Sequence, residues 1–154
     1  MNTPFSAKDT RITIVLSEFN LPVTENLLKG AKDSFTESGG KNEYLKLFRV
    51  PGAFEIPAAI SQVLKHQQQE AVIALGAVIR GDTPHFDYIS GESARGLAEL
   101  GLKANIPVIN GIITTNNVRQ AYERSRLDER NKGREAMQAA LQTIAVYRDI
   151  QKPA

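Results

Sequence analysis

Four side chains of this chain could take part in acid–base chemistry or ring binding, and each follows an apolar run. His85 closes a polar turn after one run, Phe54 and Glu55 stand in a glycine- and proline-containing turn after another, and Phe19 comes just after the first. Imidazole titrates near neutral pH, a carboxylate accepts hydrogen bonds from hydroxyls, and an aromatic face can stack on a planar ring. The set therefore suits proton transfer on a planar, polar ligand.

The turn at 80–85 also favours an anion. It follows the run 71–79, which is almost wholly apolar and rich in β-branched residues, as is typical of a strand buried on both faces of a parallel sheet. A helical pattern comes next, and the free N–H groups at a helix start favour a phosphate. Gly81 would let a ligand approach the backbone closely. The alternative is that this segment is only a turn with a helix cap, and that His85 is packed or solvated.

The turns at Phe19 and Glu55 have structural alternatives of their own. An aromatic residue at the end of a strand often covers the core and binds no ligand. A glutamate near a helix start can simply compensate the helix dipole. Both alternatives stay open at the level of the residues.

Strands and helices alternate along the chain, which predicts an α/β fold with a parallel sheet and helices on both faces. No linker, repeat or low-complexity tract interrupts the pattern, so we expect one doubly wound domain over 1–154, with 1–10 as an N-terminal arm. The predicted strands cover 12–16, 44–50, 71–79 and 106–113. Helices are predicted from residue 22 to residues 39–40, from residue 57 to 65, from residue 85 past 100, and over 118–124 and 131–148.

Composition limits the function further. The chain of 154 residues carries a net charge of +2 without a basic stripe, so nucleic acid is not an expected partner. It has no cysteine and two well-separated histidines, so we expect neither thiol chemistry nor a metal site. No run approaches the roughly 20 apolar residues of a membrane span, and the first ten residues lack a signal-peptide core. A cytoplasmic protein is the expectation.

Familiar nucleotide and hydrolase motifs do not fit. The spacing from Gly76 to Thr83 resembles a P-loop, but Asp82 stands where that motif needs lysine, and a GxGxxG fingerprint is absent. Ser90 and Ser93 lie in a helical pattern without a nucleophile elbow. The residues alone thus indicate a phosphate-ligand site on an α/β domain, with a histidine as acid or base.

Several long segments together resemble the lumazine synthase family. They are VPGAFEIP at 50–57, GAVIRGDTPHFDY at 76–88, the pair at 19–20, the segment 111–115 and NKG at 131–133, in the family's order from about residue 12 to 148. The resemblance implies 6,7-dimethyl-8-ribityllumazine synthase activity in riboflavin biosynthesis, without metal or organic cofactor. It also implies a flavodoxin-like sandwich with a four-stranded parallel sheet, whose N-terminal arm adds a strand to a neighbouring subunit's sheet.

The resemblance further implies how the substrates are held. Phe19 would stack on the pyrimidine ring of 5-amino-6-(ribitylamino)uracil, and Glu55 would accept hydrogen bonds from its ribityl chain. Asp82 and Thr83 would donate backbone N–H bonds to the phosphate of 3,4-dihydroxy-2-butanone 4-phosphate. The remaining contacts within the subunit are expected at Ala53, Phe54, Ala77, Val78 and Ile79.

The catalytic groups implied by the resemblance come from two subunits. His85 would shuttle protons, while Arg124 from the adjacent subunit would clamp the phosphate and Lys132 would add positive charge. A monomer would then be inactive. Asn110 departs from the phenylalanine that many family members place against the pyrimidine, and the glycine-free loop 126–130 departs from icosahedral members, which favours a pentamer over a 60-subunit shell.

Two other functions remain open at this point. One is a different flavodoxin-like enzyme that acts on a phosphorylated sugar or nucleotide. The other is a catalytically weak paralogue that binds flavin or lumazine, or that serves as a shell protein.

Overall fold

The protein folds around one parallel sheet, seen here in a computed structural model that describes residues 5–153. Its strands are β1 (Ile12–Ser17), β2 (Leu45–Val50), β3 (Ala71–Ile79) and β4 (Val108–Thr115). All neighbouring strands run parallel, in the order β2-β1-β3-β4. This is the predicted doubly wound α/β fold, which is confirmed.

In the described part of the chain, five α-helices cover the two faces of the sheet: α1 (Val23–Glu37), α2 (Ile56–His66), α3 (His85–Lys103), α4 (Val118–Ser125) and α5 (Lys132–Gln151). Helices α1, α4 and α5 pack on one face, and α2 and α3 pack on the other. Two 3-10 turns precede β2 and α2, at Asn42–Tyr44 and Ala53–Glu55. Among residues 5–153, no helix combines the length and the apolar composition that a membrane crossing requires.

The hydrophobic core has two parts, one on each face of the sheet, because successive side chains of a strand point to opposite faces. In β1, Ile14 and Leu16 point to the α1 and α5 face, while Val15 points to the α2 and α3 face, and all three are fully buried. Strand β3 is buried along nearly its whole length. That explains its continuous apolar run, since helices cover both of its faces.

A crevice opens where β1 and β3 separate. The two strands pair only as far as Leu16 and Leu75, while β3 continues to Ile79 beside β4. After β1 the chain enters α1 on one face of the sheet, and after β3 it enters α3 on the other face. The carboxyl ends of β1 and β3 therefore form the topological switch point at which open α/β sheets bind ligands.

Ion pairs join α1 to its neighbours. Arg49 of β2 donates to both carboxylate oxygens of Glu25, at 2.5 and 3.1 Å, and Arg134 of α5 donates to both oxygens of Glu37. These hydrogen bonds from guanidinium groups lower the pKa of each glutamate below its ordinary value. Both pairs are solvent-exposed, so each contributes little to stability, about 1 kcal/mol at most.

The described part of the predicted arm packs against its own subunit. Ala7 is fully buried and donates its N–H to the carbonyl of Ser38 at 2.8 Å, and Thr10 is buried as well. Residues 1–4 of the arm lie outside the described residues. The expected addition of a strand to a neighbouring sheet stays a prediction.

Candidate active site

The loops after β1, β2 and β3 enclose a cavity of about 530 Å³ at the switch point. This volume lies in the range of small-molecule sites, roughly 300–1,000 Å³. The cavity brings together most of the predicted substrate-binding residues of one subunit, namely Phe19, Ala53, Phe54, Glu55, Ala77, Val78, Ile79, Thr83 and His85. Asp82 lies in the same turn but does not line the cavity.

Two phenyl rings flank the mouth of this cavity. Phe19 is 70% exposed and Phe54 is 55% exposed, although burial of such a ring would stabilise the fold. Phe19 is therefore not a lid on the core, which was one alternative for its position. Exposed aromatic faces beside a cavity are suited to stack on a planar ring.

Asn20 fixes the loop that carries Phe19, and the sequence did not single out its side chain. Its φ of 77° is left-handed, a conformation that asparagine adopts more readily than most residues. Its side-chain amide donates to the carbonyl of Ala77 at 2.8 Å, beyond the point where β1 and β3 stop pairing. Backbone direction alternates along a strand, so Ile79 is the next residue whose N–H and C=O face this open edge.

Glu55 has a structural role and is also available to a ligand. One carboxylate oxygen accepts the N–H of Gly52 at 3.0 Å and so caps the short 3-10 turn before α2. The structural role of Glu55 is thus a capping hydrogen bond, whereas the alternative stated from the sequence was compensation of the helix dipole. Because Glu55 also lines the cavity, its second oxygen can still accept a hydrogen bond from a ligand hydroxyl.

The turn that ends in His85 is exposed and held at its base. His85 begins α3, and its N–H donates to the Thr83 hydroxyl at 3.4 Å. Arg80 joins this region to the end of β4, since its Nε donates to the side chain of Asn116 at 3.1 Å. The Arg80 guanidinium also stacks on the Phe86 ring, 4.4 Å from the ring centroid. Sequence patterns did not predict the hydrogen bond between Arg80 and Asn116, because the two residues are far apart in the chain.

The other predicted residues lie apart, in a groove of about 410 Å³ between β4 and α5. Asn110, Arg124 and Lys132 line it together with Thr114 and Glu135. Arg124 donates to the carbonyl of Thr114 at 3.0 Å, and the ammonium group of Lys132 is 3.1 Å from a carboxylate oxygen of Glu135. The oxygen of the Asn110 side chain accepts the N–H of Ile112 at 3.0 Å. We refer to the cavity and the groove as the two half-sites, because the family resemblance implies that they belong to one site shared by adjacent subunits.

The two half-sites have complementary chemistry. The cavity offers aromatic faces, a carboxylate and an imidazole, and the groove offers two cations of the kind that bind phosphate. Within residues 5–153, no group of three or more histidine, aspartate or glutamate side chains is placed to hold a metal ion. An open parallel sheet with such a cavity at its switch point is typical of proteins of flavodoxin-like fold that bind small molecules.

Comparison with known proteins gives the family. A family model described as 6,7-dimethyl-8-ribityllumazine synthase matches residues 9–148. Curated proteins of that name from Helicobacter hepaticus and Wolinella succinogenes are 46% and 45% identical to this chain, over 92% and 91% of it and over 91% and 90% of their own lengths. One from Campylobacter jejuni subsp. doylei is 43% identical over 92% of each chain.

The chain belongs to the 6,7-dimethyl-8-ribityllumazine synthase family, and it is a transferase-type condensing enzyme of riboflavin biosynthesis. The family resemblance seen in the motifs is thereby confirmed. The matched region contains both half-sites, from the loop after β1 to the start of α5.

Proposed function

We propose that this enzyme condenses 5-amino-6-(ribitylamino)uracil with 3,4-dihydroxy-2-butanone 4-phosphate in a site that two adjacent copies of the chain complete. Phosphate and water would be released, and no cofactor would take part. The observation that carries the proposal is the separation of the two half-sites. The cavity has the groups for a ring and a proton transfer, while the two cations line a different surface of the same chain.

The cavity would hold the aminopyrimidine. Phe19 stacks on the ring, and the carboxylate of Glu55 accepts hydrogen bonds from the ribityl hydroxyls. Ala53 and Phe54 contact the ribityl chain. The open backbone edge at Ile79, together with Ala77 and Val78, meets the polar edge of the pyrimidine. The exposure of both phenyl rings supports this assignment, because stacking would then cover them.

The turn before α3 and the neighbouring groove would hold the butanone phosphate. Backbone N–H groups at Asp82 and Thr83 lie near the positive end of the α3 dipole. Arg124 and Lys132 of the adjacent copy bring two positive charges. A planar guanidinium can bind two phosphate oxygens at once, so Arg124 would contribute direction as well as charge.

His85 would move the protons. Imine formation at the ketone needs a proton for the departing water, and elimination of the phosphate needs a base for the adjacent carbon. An imidazole can donate a proton in the first step and accept one in the second, so His85 can serve both. His85 lines the cavity and directly follows the turn that is proposed to hold the phosphate.

Asn110 would face the pyrimidine from the adjacent copy, in place of a ring. Its exposed side chain lies on β4, and its oxygen already accepts the N–H of Ile112. That leaves its amide N–H groups to donate to a ligand. Less stacking and one added hydrogen-bond donor would then distinguish this site from one with phenylalanine.

We further propose a pentamer of single-domain subunits, 1–154, in the cytoplasm. The loop 126–130 supports the pentamer over a larger shell, because it is a tight charged turn. Asp128 accepts the N–H of Arg130 at 2.8 Å and also binds the Arg130 side chain, and these bonds lower the pKa of its carboxyl group. A turn fixed by its own ion pairs is poorly suited to adapt to a second interface.

The test mixes two defective variants. Arg124→Ala lacks the phosphate clamp, while the double variant Glu55→Ala/His85→Ala lacks the cavity chemistry. Each is purified alone, and then the two are unfolded and refolded together in equal amounts. Lumazine fluorescence is measured against the spontaneous reaction, with wild-type enzyme refolded in the same way as the reference.

A shared site predicts recovery of on the order of one quarter of the wild-type rate, since that fraction of random neighbour pairs joins an intact cavity to an intact groove. A site within one chain predicts no recovery, because no single chain in the mixture is complete. No turnover by assembled wild-type protein, together with tight flavin binding, would favour the carrier function instead.

A further inference from the structure

We propose that Asn131 is a positioning residue that holds Arg124 and Lys132 in fixed relation to each other. The inference rests on the proposed function, in which these two cations bind the phosphate. Asn131 is 1% exposed and directly precedes Lys132. Its side chain reaches Ser125, the residue directly after Arg124.

The carboxamide of Asn131 links three helices. Its amide nitrogen donates to the carbonyls of Asn26 in α1 and Ser125 at the end of α4, both at 3.0 Å. Its oxygen accepts the N–H of Arg134 in the first turn of α5 at 2.9 Å. Both amide hydrogens and the oxygen are thus used, and the reversed orientation of the carboxamide would satisfy none of the three partners.

Neighbouring glycines confine the same side chain. A Cβ atom on Gly30 of α1 would lie 2.0 Å from the Asn131 side-chain oxygen, and one on Gly133 would lie 1.8 Å from the carbonyl oxygen of Leu27. Helices α1 and α5 therefore approach closely here, and the Asn131 carboxamide fills the space that the first glycine leaves. It cannot turn without breaking its bonds.

A capping role alone does not explain an asparagine at this position. Serine or aspartate can accept the N–H of Arg134 and cap α5 as well as asparagine does. Only asparagine adds two donors, and both are directed at carbonyls outside α5. Through Ser125 these bonds fix the end of α4 that carries Arg124, while Lys132 stands at the first position of α5. The separation of the two cations is therefore set by Asn131.

The first test separates the link from the cap. Asn131→Ser and Asn131→Asp keep an acceptor for Arg134 but lose the two amide N–H groups that bind Asn26 and Ser125. Assembled enzyme is assayed with inorganic phosphate as an inhibitor competing with the butanone phosphate, and KM is measured for both substrates. We expect phosphate inhibition to weaken and KM for the butanone phosphate to rise, each about tenfold to a hundredfold, because small displacements of binding groups are costly. KM for the aminopyrimidine should change by less than about twofold.

A second test displaces the same carboxamide by a substitution in α1. Gly30→Ala leaves all groups of Asn131 in place but directs a methyl group into its side-chain oxygen. The matched control is Gly91→Ala in α3, where the added methyl group would meet nothing within 4 Å. We expect Gly30→Ala to weaken phosphate inhibition in the same direction as Asn131→Ser, and Gly91→Ala to leave it unchanged.

Loss of stability alone is controlled by Ile144→Ala, which removes buried side-chain volume near the far end of α5. Wild-type phosphate inhibition in Asn131→Ser and Gly30→Ala, or an equal loss in Ile144→Ala, would overturn the inference. If the Asn131 variants do not assemble, the phosphate inhibition measured for Gly30→Ala decides whether the inference holds. Wild-type inhibition in Arg124→Ala and Lys132→Ala would instead overturn the proposed phosphate site itself.

Discussion

At the scale of single residues, His85 carries the proposed proton transfers, and its removal should slow the enzyme without inactivating it. Acid–base assistance contributes about 10²–10⁴-fold, whereas holding two substrates together contributes on the order of 7–11 kcal/mol at best. We therefore predict that His85→Ala lowers kcat by about 10²-fold or somewhat more, leaving a rate above the spontaneous reaction.

The matched control for this prediction is the chain's other histidine, His66. It lies exposed at the end of α2 and does not line the cavity. His66→Ala should therefore leave kcat unchanged. An unaltered kcat in His85→Ala at neutral pH would contradict the shuttle role, as would equal effects of the two substitutions.

Much of the site could be predicted from the position of single residues relative to the predicted strands. Phe19 and His85 stand in turns that follow strands, and in parallel sheets the carboxyl ends of the strands meet at one edge. The supporting side chains were not predictable, because their partners are far away in the chain. Asn20 binds the carbonyl of Ala77, and Arg80 binds Asn116 from another strand end. No local pattern reports such pairs.

At the scale of elements, β1 and β3 come into one close contact just beyond their last paired residues. Gly76 of β3 faces Ser17, the last residue of β1, and a Cβ atom on Gly76 would lie 2.4 Å from the Ser17 hydroxyl oxygen. That oxygen is buried and has no hydrogen-bond partner in the described part of the chain. Gly76→Ala should destabilise the fold by about 1–3 kcal/mol through overpacking.

Removal of the Ser17 hydroxyl should reverse most of this loss. Ser17→Ala alone should be neutral or stabilising, because it removes an unsatisfied buried polar group. In the double variant, the nearest atom on residue 17 is Cβ at 3.4 Å, an ordinary contact. Urea unfolding of the four proteins gives the coupling free energy. Additive effects of the two substitutions would show that the contact does not limit the approach of β3 to β1.

The elements themselves followed from the pattern of the sequence, whereas several of their ends did not. Tyr44 was expected in β2 but lies in a 3-10 turn, where its ring packs against the Arg11 guanidinium at 4.3 Å. Thr114 and Thr115 were expected in a turn but extend β4, because the N–H of Arg80 bonds to the Thr115 carbonyl. Such ends depend on partners from other elements, which hydrophobic periodicity does not report.

At the scale of the whole molecule, the proposed division of the site between two surfaces could not be predicted from residue patterns. Arg124 and Lys132 stand in charged segments that ordinarily form solvated faces. Only the family resemblance assigned them to an adjacent subunit, and the groove that they line on β4 and α5 is consistent with that assignment. The fold could be predicted because hydrophobic residues recur at the spacing of strands and helices. The proposed division of the site could not be predicted from such patterns, since it depends on how subunits assemble.

Acid stability is a property of the whole molecule that the exposed ion pairs of α1 should modulate. Because Arg49 lowers the pKa of Glu25 in the folded state, the unfolded state binds more protons as the pH falls below about 5, and stability decreases. The contribution of the pair is thus complete above the ordinary glutamate pKa and is lost as the pH falls through the lowered pKa. Glu25→Gln should cost less than about 1 kcal/mol at pH 7, since both side chains are well exposed to solvent.

The difference in the free energy of unfolding between wild type and Glu25→Gln should then decrease steadily from pH 7 to pH 3. At pH 7 it should also be smaller in 1 M salt, because salt screens exposed charges. Urea unfolding between pH 7 and pH 3 measures it, with Arg49→Gln as the matched partner variant. If the pair acts through charge, the two substitutions should give the same pH dependence, and the double variant should lose no more than either alone. A difference that stays constant with pH would mean that Glu25 stabilises α1 by packing, and α1 would then be held to β2 independently of its ionisation.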